Sequence, residues 1–287
     1  MTIKLFFIKI LGHITGRYPK LVLSLRYYKK FHRLIDLNNP KLFYDKIFWN
    51  SLYTDTSQWT LLADKYKVRE YVENKCNKKV LPNLLGVYDR PEDIDFEKLP
   101  SSFVIKTNNG CASNIIVRDK KLINKSDICE KMNYWLKYPY GDLTGQKHYS
   151  RILPKIIIEE MLIQDGNPNA PLTDYKFYCF NGVPMYCIVM VDRVFNTHQF
   201  HYMMYDMKWN ALPDFFETNV RLKEVPKPQC FEKMISISKA LSAGFNFVRI
   251  DLYDINGNVI FGEMTFMPGM SVGLTYEKQT ELGHLMK

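Results

Sequence analysis

The chain has 287 residues, 46% of them hydrophobic and 24% charged, with a net charge of +9. That balance fits two modest domains or one two-lobed body, and it excludes a disordered, collagen-like or repeat-built chain. The positive charge favours an anionic partner, whether a nucleotide, an acidic sugar, nucleic acid or a membrane surface, without choosing among them.

Residues 3–35 carry apolar and basic side chains at mixed helical spacing: Leu5, Ile8 and Leu11, then Leu21, Leu25 and Tyr28. Much of the charge lies here, on Lys4, Lys9, Arg17, Lys20, Arg26, Lys29, Lys30 and Arg33. Two readings stay open: a helical cap packed on the main body, or a face for anionic lipid or a membrane-bound partner. Lys9 breaks the opening apolar run after Ile8. The run is therefore too short for a membrane span and lacks the marks of a signal peptide. A cytoplasmic location is expected. Asn38-Asn39-Pro40 marks a break, and residues 41–53 and 60–75 predict helices. Val80 to Val87 reads as a strand and Pro91 to Leu99 as a short helix with its exit.

Phe103 to Thr107 is a strand, Asn108 to Asn114 a loop of small residues, and Ile115 to Val117 a second strand. Strand–loop–strand is a hairpin, which argues against a Walker A loop because that motif needs GK[ST] and a following helix. Ser126 to Lys137 predicts a helix with Ile128, Met132 and Leu136 on one face. Ile156-Ile157-Ile158 is a buried strand leaving through Glu159-Glu160. Strands over 175–180 and 185–191 flank Asn181-Gly182, a strong hairpin turn. Phe231 to Ala243 predicts a helix stopped by Gly244, and Val248 to Tyr253 and Val259 to Phe266 form the last strand pair. The class is α+β.

Six cysteines, at positions 76, 111, 129, 179, 187 and 230, contain no CxxC pair. They read as core thiols, not as a disulfide frame or zinc site. His13, His32, His148, His198, His201 and His284 fall in no nucleophile-elbow or HExxH pattern, which argues against a hydrolase.

The most informative stretch is Arg249-Ile250-Asp251, Glu263-Met264-Thr265 and Pro268-Gly269. Residues two apart on a strand share a face, so Arg249 joins Asp251 and Glu263 joins Thr265. Two carboxylates on neighbouring strands offer hard oxygens to Mg²⁺, which commonly takes one or two protein carboxylates plus phosphate and water. Register decides whether they meet. A two-residue turn at Asn256-Gly257 would oppose Asp251 to Gly262, whereas a three-residue loop over 256–258 opposes it to Glu263. The three-residue loop is expected. The alternative is a solvated hairpin with scattered charges, against which the flanking residues Ile250, Leu252, Ile260, Phe261, Met264 and Phe266 are too apolar. Lys106 ends an apolar strand just before the small-residue loop. There it is either solvated or able to reach a phosphate lying under the loop's N–H groups.

In their order and spacing, these segments resemble the ATP-grasp superfamily. They are more similar still to its TupA-like branch, which is associated with bacterial surface polysaccharide and teichuronopeptide synthesis. The likeness runs over about residues 38–270. It rests on Asn39-Pro40-Lys41, residues 62–72 with Asp64-Lys65, 103–114, 174–182 and 247–269. The resemblance implies two lobes with antiparallel sheets and a nucleotide cleft between them, preceded by a helical N-terminal extension. The divisions expected are 1–60 for the basic helical extension, 61–158 for a first lobe with the phosphate loop, and 159–287 for a second lobe with the metal site. It implies ATP and Mg²⁺ as cofactors. Lys106 would hold the phosphates, assisted by Lys65 or Arg69, with Asn109, Gly110, Ser113 and Asn114 closing over them. Glu159, Glu160, Met161 and Leu162 would contact adenine and Asp174 the ribose. Asp251, Glu263 and Thr265 would bind metal. Arg249 would steady an acyl phosphate, with Lys176 and Arg193 as further phosphate or substrate contacts. Thr265 departs from the family pattern, which has asparagine there. Cys111-Ala112-Ser113 stands where more glycine is usual.

The activity implied is joining a carboxylate to an amine, with an acidic sugar or glycan as acceptor and an amino acid or peptide as amine donor. Nucleic acid is not expected as a partner. The alternatives are a glycosyltransferase of capsule or O-antigen assembly, for which Asp93-Ile94-Asp95 matches a DxD motif in letters, and a catalytically degenerate ATP-binding module.

Overall fold

The computed structural model describes residues 3–76, 78–194, 197, 199–218 and 220–287; His198 lies outside them. In chain order the main elements are α1 (Ile3–Arg17), α2 (Pro19–Phe31), α3 (Phe43–Tyr53), α4 (Ser57–Ala63), α5 (Val68–Lys75), β1 (Leu84–Tyr88), β2 (Phe103–Thr107) and β3 (Asn114–Val117). There follow α6 (Lys125–Lys137), α7 (Tyr140–Thr144), α8 (Lys147–Ser150), β4 (Ile156–Glu160), β5 (Asp174–Phe180), β6 (Val183–Val191) and β7 (His201–Asp206). The last are α9 (Phe231–Ser242), β8 (Phe247–Ile255), β9 (Asn258–Thr265) and α10 (Tyr276–Leu285). Helices and two antiparallel sheets make the class α+β, as the patterning predicts. The chain divides into two compact units, residues 1–35, 51–69 and 82–161 in one, and 36–50, 70–81 and 162–287 in the other.

In the first unit a four-stranded sheet runs β1-β4-β2-β3. Strand alternation decides its faces. Phe103, Ile105, Ile156 and Ile158 are buried in one core with Ile128 and Met132 of α6. That helix starts where Asn124 accepts hydrogen bonds from the Ser126 and Asp127 amides, an N-cap. Val104, Lys106, Ile157 and Glu159 therefore share the other face. The hairpin of β2 and β3 appears as expected, with Lys106 opposite Asn114. The helix expected over 60–75 is instead two. Asp64 breaks it, its carboxylate accepting from the amides of Tyr66 and Lys67 at 2.8 and 3.2 Å, a local bond that competes with helix continuation. The strand expected from Val80 begins later, at Leu84, after a 3₁₀ turn over Lys78–Val80.

In the second unit a five-stranded sheet runs β7-β6-β5-β8-β9. Helix α9 covers one face: Phe231 stacks at a tilt on Phe177, and Trp209 meets Phe231 edge-on. The helix closes at Ala243, before Gly244 with φ +91°. Asn181 and Gly182 both take positive φ, making the tight turn their residue types predict. The last hairpin reaches the expected pairing by an unexpected route. Its turn has two residues, Asn256 and Gly257 with φ +53° and +81°, so Ile255 pairs with Asn258. A β-bulge at Gly262 then inserts one residue, so that Leu252 pairs with Phe261 but Asp251 pairs with Glu263. The bulge, not a longer loop, brings the two acids together.

Candidate functional site

The polar face of the second sheet, opposite α9, carries the densest set of charges. Asp174, Lys176 and Tyr178 alternate along β5 and Arg249, Asp251 and Tyr253 along β8, while Glu263 and Thr265 lie on β9. The ladder places Lys176 opposite Asp251, Tyr178 opposite Arg249, and Thr265 opposite Arg249. Asp251 is 2% exposed. Arg249 grips it with two bonds, Nε to Oδ1 at 2.6 Å and Nη2 to Oδ2 at 2.8 Å. The same Nη2 donates to Glu263 at 3.1 Å and to the Thr265 hydroxyl at 3.0 Å. Lys176 donates to Asp251 at 2.5 Å and to Asp174 at 3.2 Å, and Arg193 reaches Asp174 at 2.9 Å. Three cations (Lys176, Arg193, Arg249) thus balance three carboxylates (Asp174, Asp251, Glu263). Asp174, Lys176 and Asp251 are buried, where a charge requires such pairing, while the Arg193 and Glu263 side chains keep 39% of their surface exposed.

The electrostatics follow from that packing. Burial pushes the Asp251 carboxyl up, and Arg249 and Lys176 pull it back only in part. Burial also pushes Asp174 up, but Lys176 and Arg193 more than offset this and hold it below the usual carboxylate range. Burial lowers Lys176, yet Asp174 and Asp251 hold its ammonium above its ordinary value. Asp251, Glu263 and Thr265 offer only oxygen on adjacent strands, the donor chemistry of a hard divalent cation whose remaining ligands are phosphate and water. Among the described residues no cluster of three or more His, Cys, Asp or Glu could hold a metal by itself. Arg249 and Lys176 take these oxygens here, so a hard cation would hold the set only by exchanging places with them.

In the first unit Lys106 pairs with Glu159 at 2.5 Å, and Arg69 binds the other oxygen of the same carboxylate at 2.7 Å. Glu159 is 4% exposed and its backbone lies in the ladder between β1 and β2, so its side chain serves the two cations. Glu160 accepts from the Asn83 amide and side chain. Met161 and Leu162, half-buried, follow the last residue of β4. Lys65 donates to the Gly110 carbonyl, inside the small-residue loop. Asn109 and Ser113 are buried, whereas Cys111, Ala112 and Asn114 are exposed. Ala112 takes φ +58° at the loop tip, a left-handed position where the absent glycine would be easier. Thr107 closes the base of the loop, its amide donating to the Ser113 carbonyl and its hydroxyl to Ser113 Oγ. A pocket of about 150 Å³ lies between this loop and Tyr134, Trp135, Tyr138 and Tyr140, and Asn109 lines it with a buried Oδ1 that has no hydrogen-bond partner.

Several residues of these sites escape the sequence reading. Asn108 is fully buried; its side chain joins Asp64, the Leu153 carbonyl and the Lys155 amide, and so fixes where the loop begins. Tyr178 lies opposite Arg249 in the ladder, and burial pushes its phenol up. Tyr253 is raised well above the ordinary phenol value, first by burial and then by Asp174, Glu263 and Asp251. Strand alternation from Lys176 and Asp251 would have found both tyrosines. Asp93 and Asp95, the DxD letters, are instead bound by Arg90 and Lys98 next to them in sequence, in salt bridges with exposed side chains.

No curated protein matches the sequence. Among solved structures, the chain is similar to the D-alanine–D-alanine ligase from Bacillus anthracis complexed with ATP, with 14% identity, a TM-score of 0.46, and 79% of this chain and 63% of that one covered. It is also similar to the ATP-grasp ligase PsnB complexed with minimal precursor, at 11% identity and a TM-score of 0.41, covering 78% and 59%. For the D-alanine–D-alanine ligase from Helicobacter pylori the values are 14% and 0.45, covering 86% and 67%. The chain thus spans less than two-thirds of the length of the first two. The sequence model of the TupA-like ATP-grasp family matches residues 45–287, which takes in both sheets and every candidate site residue, and the chain belongs to that family.

Proposed function

We propose that the protein is an ATP- and Mg²⁺-dependent ligase that joins a carboxylate to an amine through an acyl phosphate, acting in the cytoplasm. The observation that carries this is the opposed pair Asp251, buried, and Glu263, half-exposed, both gripped by Arg249 on one sheet face. In this reading residues 61–158 form the first lobe and 159–287 the second, with 1–60 as an extension. Lys106 and the loop amides of Asn109, Gly110, Ser113 and Asn114 bind phosphates, with Lys65 and Arg69 behind them. Glu159, Glu160, Met161 and Leu162 serve adenine and Asp174 the ribose; the Glu159 carboxylate and the backbone of Glu159 and Glu160 are already engaged, which leaves the backbone of Met161 and Leu162 for the base. Asp251, Glu263 and Thr265 hold Mg²⁺, which supplies charge neutralisation at the phosphates.

A carboxylate does not expel oxide, so the leaving group must be made. A carboxylate oxygen of the acceptor forms a bond to the terminal phosphorus of ATP, and the bond from that phosphorus to ADP breaks. The amine nitrogen then adds to the acyl carbon, phosphate departs with the C–O bond, and the nitrogen's proton leaves to solvent. Arg249, Lys176 and Arg193 stabilise the charge that develops on the acyl phosphate and the oxyanion. These cations are held by carboxylates, so partner exchange, not new desolvation, makes them available.

The acceptor is an acidic sugar of a bacterial surface polysaccharide and the donor an amino acid or peptide. The net charge of +9 supports an acidic acceptor. The pocket between the loop and four aromatic side chains supports a ring, since aromatic faces and an unpaired amide suit a pyranose with its hydroxyls. The test is incubation with ATP, Mg²⁺ and panels of uronic acids and amines, reading ADP and the coupled mass. Release of ADP only when both substrates are present supports the ligase. A second reading, an ATP-binding module without turnover, draws on Thr265 in place of asparagine; thermal stabilisation by MgATP with no ADP from any pair would favour it.

A further inference from the structure

Helix α1 has two apolar faces. Leu5 and Gly12 are buried on one, and it is fixed within its own unit: a methyl placed on Gly12 would lie 2.5 Å from the Pro139 ring, and one on Gly16 would lie 2.8 Å from Asp142. The opposite face is solvent-exposed and carries Ile3, Phe6, Phe7, Ile10, Leu11 and Ile14, a contiguous stripe at helical spacing. Phe6 is 49% exposed and Phe7 63%. Helix α2 continues the pattern. Leu23 and Tyr27 are buried, Arg26 ties the helix to the Thr144 carbonyl at 2.5 Å, and Leu21, Leu25 and Tyr28 stand exposed on one stripe. An exposed stripe this apolar marks a surface that something covers.

Charge identifies the cover. Residues 3–35 hold the eight lysines and arginines named above and no aspartate or glutamate. Lys4, Lys9, Lys20 and Lys29 are exposed on the same two helices. An apolar stripe flanked by cations, without a counter-charge, complements a surface that is apolar within and anionic at its rim. Length decides between spanning and lying. The 15 residues of α1 extend about 22 Å, short of a hydrocarbon core of about 30 Å. Among the described residues no helix is long and apolar enough to cross a membrane.

We infer that α1 and α2 form a monotopic docking face that lies in the plane of an anionic phospholipid bilayer, with the aromatic and aliphatic stripe in the acyl boundary and the lysines at the headgroups. The face stands on geometry remote in sequence from the ligase residues and is independent of the activity proposed for them.

Sedimentation of the full chain with vesicles tests it. Wild type should pellet with phosphatidylcholine vesicles containing phosphatidylglycerol, weakly with phosphatidylcholine alone, and less as salt rises. Phe6→Ser, Phe7→Ser and Ile10→Ser combined, all at exposed positions, should lower binding at least about tenfold without changing the melting temperature. Neutralising Lys4, Lys9, Lys20 and Lys29 to Gln should cost roughly fivefold per lysine on anionic vesicles and little on neutral ones. ATP turnover on soluble substrates stays unchanged in both variants, which separates this face from the ligase site. Absence of wild-type pelleting, equal pelleting on both vesicle types, or undiminished pelleting of the triple variant overturns the inference. So does a wild-type dimer that ignores vesicles and becomes monomeric in the triple variant, since the stripe would then belong to a second copy.

Discussion

The two charged hairpins use opposite ends of the same motif. In β2–β3 the chemistry gathers at the tip: a six-residue loop, partly exposed, with a left-handed Ala112 and one lysine at its base. In β8–β9 the tip is a bare two-residue turn and the chemistry stands on the strand faces, buried and tied by Arg249 to three partners at once. A loop tip can open and shut over a mobile phosphate chain at little cost in packing. A strand face cannot, but it holds oxygens at a spacing that thermal motion does not blur. The difference teaches which residues should tolerate change: those at the first hairpin in stability, those at the second in neither stability nor rate.

Asp251→Asn gives the largest effect. It should cut MgATP-dependent turnover on the order of a thousandfold, and it leaves Lys176 and Arg249 buried against a neutral group, a cost of about 3–5 kcal/mol in unfolding free energy. A full-strength enzyme, or an unchanged melt, would break the contrast. Lys106→Ala should cost about a hundredfold in turnover, but only about 1–2 kcal/mol in stability, because Glu159 keeps Arg69 at 2.7 Å. Denaturant unfolding of the two variants side by side measures that asymmetry.

Acid should sharpen the contrast further. His148 of the first unit is buried, its Nδ1 has no hydrogen-bond partner, and burial pushes it down to about 3. The unfolded chain therefore binds a proton that the folded one refuses between its ordinary value of 6.5 and about 3. Stability falls as pH drops through that window, by up to about 1.4 kcal/mol per pH unit. In the second unit Asp174 has the same sign at lower pH: its carboxyl is held low, so its contribution is present above the ordinary value of 3.8 and is lost as pH falls from there through the lowered value. His148→Phe should flatten the acid limb of a melting-temperature profile; an unaltered slope would assign the acid loss elsewhere. The smallest effect is at the first loop tip. Ala112→Gly relieves a left-handed alanine and should raise stability by up to about 1 kcal/mol, or about 2 °C in the melt, while loosening the loop enough to change KM for ATP more than kcat.

Much of this was legible in advance, for reasons that differ by element. Period-two alternation gave the strands, Asn181-Gly182 marked the turn between two of them, and Gly244 marked the end of α9. The pairing of Asp251 with Glu263 was readable, but its cause was not. A glycine inside an apolar strand can mark either a bulge or a close backbone approach, and only coordinates distinguish the two. At Gly262 a methyl would lie 3.0 Å from the Tyr253 ring and 3.1 Å from the Asp251 carbonyl. The break at Asp64 was hidden because good helix formers surround it and a side-chain bond, not composition, stops the helix. Strand β7 and helix α10 went unread. Asn108 was missed because its four hydrogen bonds reach residues 44 to 47 positions away, beyond any local pattern.

The extra residue at Gly262 uncouples the length of the last hairpin's end from the alignment of its acids. Because Ile255 to Leu252 pair with Asn258 to Phe261 whatever the length of the turn, a residue gained at the tip, or the loss of Gly262, would each leave Asp251 facing Glu263. Relatives of this chain are then free to drift at the tip of that ribbon without a matching change farther down.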